Sequence, residues 1–239
     1  MSTDATLTFY HAPNTRSTRW ERCSAAGVRA LLDELGADYR LVALDMKAGE
    51  HRKPAYMAVN PMGTLGAPLR SKVPAIVHDG ALVTEQGAIY LYLADCFPAA
   101  ELAPPIGDPL RGPYLRWLFF YGSAFEHAGS AAPQPVLVDR AMQRDAGGVA
   151  MSPYGDFDTM MGTLTSQLGR GPFLLSERFS AADMLWGVAL GWTTRFKLVP
   201  EHPGIAAYIA RIGGRPSVAR VRALDDALAA AQAAAAGRG

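Results

Sequence analysis

Cysteine is almost missing from this sequence: only Cys23 and Cys96 occur, and neither belongs to a Cys-x-x-Cys pair. Two isolated cysteines give no basis for a disulfide framework, and a cysteine–histidine metal site lacks its ligand spacing. The five histidines are scattered singly, so a metal-free protein is expected. Charge of one sign is also missing, because 23 basic and 22 acidic side chains leave a formal net charge of +1. Without a dense run of lysines or arginines, no phosphate-tracking nucleic-acid surface is expected. No apolar stretch reaches the length of a membrane span. The start, Met1-Ser2-Thr3-Asp4, lacks the basic-then-apolar pattern of a secretory signal. The expectation is a cytoplasmic protein with neither a nucleic-acid nor a membrane partner.

What the chain does have is apolar material: 49% of its 239 residues are hydrophobic, enough for a sizeable core in one large domain or two ordinary ones. Leu7 to Tyr10 is β-prone and runs into the turn-rich His11-Ala12-Pro13-Asn14. Val28, Leu31, Leu32 and Leu35 recur at helical spacing, and Gly36 supplies a stop. Tyr39 to Leu44 reads as a second strand, which makes the opening a β-α-β unit. Pro74 to Val77 and Ala81 to Val83 form two further strands around Asp79-Gly80, a pair that accepts positive φ in a tight hairpin. Thr84 is placed to cap a helix beginning at Glu85.

Prolines cluster at residues 99–109, and beyond them β-prone alternation gives way to helical patterning. The division expected is an α/β domain over 1–98, a linker at 99–109 and an all-helical domain over 110–239. Within the last, Ser180-Ala181-Ala182-Asp183 reads as a capping box, with Phe179 placed to staple onto Met184. Ala227 to Ala236 reads as a final helix.

Two short segments carry chemistry. In Lys72-Val73-Pro74-Ala75, a proline at a strand entry after a β-branched residue is either an ordinary trans edge proline or a cis bond. The cis form turns the Val73 backbone outward, where an extended peptide can pair with it as an added strand. In Thr84-Glu85-Gln86-Gly87 a strand feeds a helix whose first amides and partial positive field suit a carboxylate, while Glu85 suits an ammonium. Glu85 alone is equally well explained as an acidic residue favouring a helix N-terminus.

Taken together, Asn60-Pro61-Met62-Gly63, Lys72-Val73-Pro74-Ala75-Ile76, Asp79 to Ile89 and Phe179 to Asp183 resemble the glutathione S-transferase superfamily, in order and spacing, over nearly the whole chain. The resemblance implies an α/β thioredoxin-like N-terminal domain, an all-α C-terminal domain, glutathione as co-substrate and a homodimer. It puts the family's cis-proline on Pro74 and its γ-glutamyl-binding acid on Glu85. Gln86 stands where a hydroxyl residue is usual and can still donate through its amide. Lys72 is placed to help hold the glycyl carboxylate. His51, Arg52 and Lys53 are alternatives that also read as a solvated charge cluster.

A glutathione thiol is mostly protonated at neutral pH, so such an enzyme must favour the thiolate by hydrogen bonding and a positive field. Ser17 matches the hydroxyl of an Asn-x-Arg-Ser-x-Arg opening, and Asn14 offers an amide donor. Here the chain departs from the family. A helix from Ser17 to Gly36 would be about 28 Å long, as if Trp20 to Gly27 were inserted. With a helix starting near Ser24, Cys23 falls at the amide-rich entry, where a thiol acidifies. A second insertion, 64–71, precedes the proline strand. Trp117, Phe120, Tyr121 and Phe125 are expected to divide between core and an apolar substrate wall. The function expected is conjugation of glutathione to a small hydrophobic electrophile, with thiol–disulfide reduction through Cys23 and non-catalytic binding of glutathione or a partner as the alternatives.

Overall fold

The computed structural model describes residues 7–13, 24–61, 72–125 and 157–237. They fall into two compact units. The first joins residues 1–93 to 216–239, and the second is 94–215.

In the first unit, β1 (Leu7–His11) and β2 (Arg40–Ala43) are parallel and joined through α1 (Ser24–Glu34). A 3-10 turn at Glu50–Arg52 and the short α2 (Pro54–Val59) follow. The hairpin β3 (Ala75–His78) and β4 (Ala81–Val83) completes a sheet of order β2-β1-β3-β4, with β3 antiparallel to both neighbours. The hairpin turn has φ of 50° at Asp79 and 82° at Gly80, the conformation its sequence requires. Central β1 buries Leu7 and Phe9 completely or nearly so, and α1 lays Val28, Leu31 and Leu32 on the same core. Gly36, at φ 62°, closes α1 as expected. The helix α3 (Gln86–Cys96) contributes the buried Ile89, Tyr90 and Leu93.

The second unit contains α4 (Arg111–Phe120), continued by a π-helical turn at Tyr121–Phe125, and α5 (Phe157–Leu168). Its centre is α6 (Ala181–Arg195), buried on nearly every face and packed against α7 (Pro203–Gly213). A Cβ at Gly187 would lie 2.6 Å from the side chain of Ile212, so glycine is what lets these two helices approach. Residues 99–109, read from sequence as a linker, are fastened to this unit. Arg111 binds Asp95 through two 2.7 Å hydrogen bonds and donates to the Pro104 carbonyl at 2.9 Å. The amide of Ala181 donates to the Leu102 carbonyl at 2.8 Å.

By its place in the sequence the last helix, α8 (Pro216–Ala236), is expected in the helical domain. It packs along α1 in the first unit instead. It buries a narrow stripe at four-residue spacing, Ser217, Val221 and Asp225. Two of the three are polar, so the helix is held by specific partners as well as by apolar burial. Ser217 Oγ donates to Glu34 Oε1 at 2.5 Å, and Arg220 pairs with Asp33.

Candidate functional site: the β3 entry and the start of α3

The Val73–Pro74 peptide bond is cis, the second of the two sequence readings. Pro74 is buried, Val73 half-buried and Lys72 exposed. The backbone just before the proline is clasped from α2. The Lys72 carbonyl accepts from the Tyr56 hydroxyl at 2.6 Å and from Asn60 Nδ2 at 3.1 Å. Burial pushes the Tyr56 phenol up to about 12, so it stays a donor across the neutral range. Its ring is held against Tyr10 of β1, with centroids 5.4 Å apart. Asn60 belongs to a motif legible in the sequence, whereas nothing in the sequence singles out Tyr56. The α2–β3 hydrogen bonds span 12 and 16 residues, beyond any local motif.

The helix after β4 starts one residue later than expected. Glu85 carries φ 64°, and its carbonyl accepts the first helical hydrogen bond, from the Ile89 amide at 2.9 Å. Glu85 therefore occupies the capping position assigned to Thr84. The left-handed backbone is uncommon outside glycine and asparagine, which is why propensity pointed to the neighbour. Its side chain is exposed, and Gln86 is half-buried. The first amides of α3, at Gln86, Gly87 and Ala88, have no intrahelical acceptor by position. An exposed carboxylate therefore stands beside a helix start that attracts anions, a combination matched to a ligand carrying both an ammonium and a carboxylate.

The solvated charge cluster expected at His51, Arg52 and Lys53 is present only at the exposed Arg52 and Lys53. His51 is fully buried and its Nε2 accepts from Arg52 Nε at 3.0 Å, while exposed Lys53 lies 3.6 Å from Glu50. Asn14, Ser17 and Cys23, the candidates for activating a thiol, lie outside the described residues, as does the insertion at 64–71. Residues 20–23 of the other insertion are outside them too, and its remainder opens α1 at Ser24.

Of the aromatic residues expected to divide between core and substrate wall, most are core. Trp117, Tyr121 and Phe125 surround Trp186 of α6, whose Nε1 donates to the Trp117 carbonyl at 2.9 Å. Phe120 is half-buried and stacks on the same tryptophan. The expected capping box is present: Asp183 Oδ2 accepts from the Ser180 amide and hydroxyl, both at 2.9 Å. Its other oxygen takes the Leu174 amide at 2.7 Å and the Tyr208 hydroxyl at 2.9 Å. Burial raises the Asp183 pKa, against the opposing pull of these four bonds. Phe179, expected to staple onto Met184, has Phe173 at its edge and the Arg215 guanidinium over its face at 3.7 Å.

Two family descriptions match the chain: the glutathione S-transferase N-terminal domain over residues 6–95 and the corresponding C-terminal domain over 154–211. Glutathione S-transferase GstA of Escherichia coli O157:H7 is 28% identical over 199 residues, covering 82% of this chain and 90% of that protein. Disulfide-bond oxidoreductase YfcG of Escherichia coli K12 is 26% identical over 210 residues, covering 80% and 86%. The solved structure of a sphingomonad glutathione S-transferase complexed with glutathione superposes with a TM-score of 0.66 at 28% identity, covering 92% of this chain and 98% of that one. With a thioredoxin-like α/β unit, a helical unit and both halves of the family matched in order, this chain belongs to the glutathione S-transferase superfamily.

Proposed function

We propose that this protein is a glutathione transferase that joins the glutathione thiolate to a small hydrophobic electrophile. The observation that carries the reading is Glu85, an exposed carboxylate held at φ 64° against the open amides of α3. In this reading Glu85 takes the γ-glutamyl ammonium and the first amides of α3 take its carboxylate. The Val73 backbone pairs with the peptide, and Lys72 neutralises the glycyl carboxylate. Gln86 supplies an amide donor where the family has a hydroxyl. The sphingomonad relative with glutathione bound supports the ligand. The thiol proton passes to solvent, and a carbon–sulfur bond forms as the leaving group departs with its electron pair. Ser17 and Asn14 are the proposed donors to the thiolate. Proximity and charge stabilisation supply the acceleration. The family resemblance adds a homodimer, checked by light scattering.

The test is calorimetric titration of glutathione into the wild type and Glu85→Gln, followed by conjugation assays on a panel of aryl and alkyl electrophiles. Glutathione binding that weakens about tenfold or more in the variant fits the loss of a charge-assisted contact. A wild type that ignores millimolar glutathione would sink the reading.

The similarity to a disulfide-bond oxidoreductase favours a second reading, reduction of glutathione-mixed disulfides through Cys23. Cys23→Ser separates the two, because it abolishes reduction but spares conjugation. Tight glutathione binding with neither activity would leave a non-catalytic binder.

A further inference from the structure

The entry to β3 is held from outside the sheet. The pairing of β3 with β1 ends at Ala75 opposite Tyr10, and Pro74 has no N–H with which to extend it. Two hydrogen bonds from α2 hold the backbone beyond that point: the Lys72 carbonyl takes the Tyr56 hydroxyl at 2.6 Å and Asn60 Nδ2 at 3.1 Å. One donor satisfies a carbonyl, whereas two fill both of its lone pairs and leave the group little freedom to turn. Both donors are themselves fixed. Tyr56 and Asn60 stand four residues apart and so share one face of α2, and the Asn60 amide closes the last turn on the Tyr56 carbonyl at 2.9 Å. Both are buried, and the Tyr56 ring lies against Tyr10, the residue that pairs with Ala75. The Lys72 carbonyl and the Val73 N–H belong to one trans peptide unit, which is planar, with the two groups pointing in opposite directions. Locking the carbonyl toward α2 therefore aims the Val73 N–H away from it.

We infer that Tyr56 and Asn60 are positioning residues for the ligand: by saturating the Lys72 carbonyl they set the plane, and so the direction, of the Val73 N–H that pairs with the glutathione backbone. The inference rests on the glutathione reading above and adds to it two residues that act through the Lys72–Val73 peptide unit. Backbone pairing of this kind is made alike in the ground state and the transition state, so its loss raises KM and spares kcat.

The experiment uses Tyr56→Phe, which removes one donor and keeps the ring against Tyr10, and the double variant Tyr56→Phe with Asn60→Ala, which removes both. Ser180→Ala, the loss of a cap in the helical unit, is the control for stability alone. Glutathione affinity is measured by calorimetry, kcat and KM for glutathione with the best electrophile of the panel, and the Val73 amide order parameter by NMR relaxation. The inference expects the dissociation constant and KM for glutathione to rise about 3- to 10-fold in Tyr56→Phe, the scale of one hydrogen bond, and further in the double variant. At saturating glutathione kcat stays unchanged, the Val73 order parameter falls from about 0.85 toward about 0.6, and Ser180→Ala alters stability alone. An affinity unchanged in Tyr56→Phe, one weakened equally by Ser180→Ala, or a loss carried by kcat with affinity intact overturns it. If the wild type ignores millimolar glutathione, the glutathione reading fails separately. The order parameter then decides the clasp: a fall at Val73 in Tyr56→Phe supports it, and an unchanged value refutes it.

Discussion

Two buried aspartates organise the two units, and they do so by opposite means. Asp183 in the helical unit is satisfied by four neutral donors, three of them within nine residues of it in sequence. Asp225 in the thioredoxin-like unit is held through one oxygen, Oδ1, by a histidine 214 residues away and an arginine 196 residues away. The first arrangement stabilises a local turn and a helix start. The second joins segments far apart in the chain, adding to the Ser217–Glu34 and Arg220–Asp33 contacts that already hold α8 on α1. A carboxylate held by neutral donors needs only its neighbours, whereas one held by a buried cation commits both partners, since neither tolerates burial alone.

The largest expected effect follows from that contrast. Asp183→Ala strands the buried amides of Leu174 and Ser180 and the Ser180 hydroxyl, and leaves the Tyr208 hydroxyl only its 3.3 Å bond to the carbonyl of residue 183. Urea unfolding should show a loss of roughly 4–6 kcal/mol, summing the cost of several unmade buried hydrogen bonds. Asp225→Ala should cost about 3–5 kcal/mol, because it leaves the Arg29 guanidinium without its carboxylate. The double variant Arg29→Met with Asp225→Ala should recover part of that loss. If the double variant is as unstable as the sum of the singles, the two residues are not coupled and the contrast collapses.

Ser180→Ala removes one donor and leaves Asp183 three, so a loss of only about 1 kcal/mol is expected for this cap. An effect of the same size belongs to Tyr56, whose contact with Lys72 is long-range like that of Asp225 but uncharged. Tyr56→Phe should cost about 1 kcal/mol at neutral pH. Burial has raised the folded-state pKa of this phenol to about 12, above its ordinary value. The folded protein thus holds the proton more tightly than the unfolded chain, and its contribution is complete below about pH 10, falling as pH rises toward 12. Spectrophotometric titration should show one phenolate step lost near pH 12 in the variant; a step lost near pH 10 would contradict the burial.

Legibility in the sequence followed the same division. The Asp79-Gly80 hairpin, the Gly36 stop and the Ser180–Asp183 box were all readable, because each is a bargain struck among adjacent residues. The cis bond before Pro74 and the role proposed for Glu85 are readable only through resemblance to a family, since each segment alone admits a plainer explanation. Even then the sequence points to a helix start one residue early, because no propensity favours a left-handed glutamate. The clasp on Lys72 and the His11–Asp225–Arg29 cluster left no trace in spacing. Aspartate and arginine at those positions look like ordinary helix-surface charges until packing brings α1 and α8 together. Much of the chemistry proposed for the sulfur rests on Asn14, Ser17 and Cys23, which the described residues do not include.

The return of α8 to the first unit has a consequence for synthesis. A ribosome delivers β1 and α1 long before residue 225, so for most of translation His11 and Arg29 have no acid to close on. The sheet that carries the proposed ligand site therefore waits for the whole helical unit to be made before its own last piece arrives. Expressing residues 1–98 by themselves, as the order of the sequence invites, would freeze the chain at that unfinished stage.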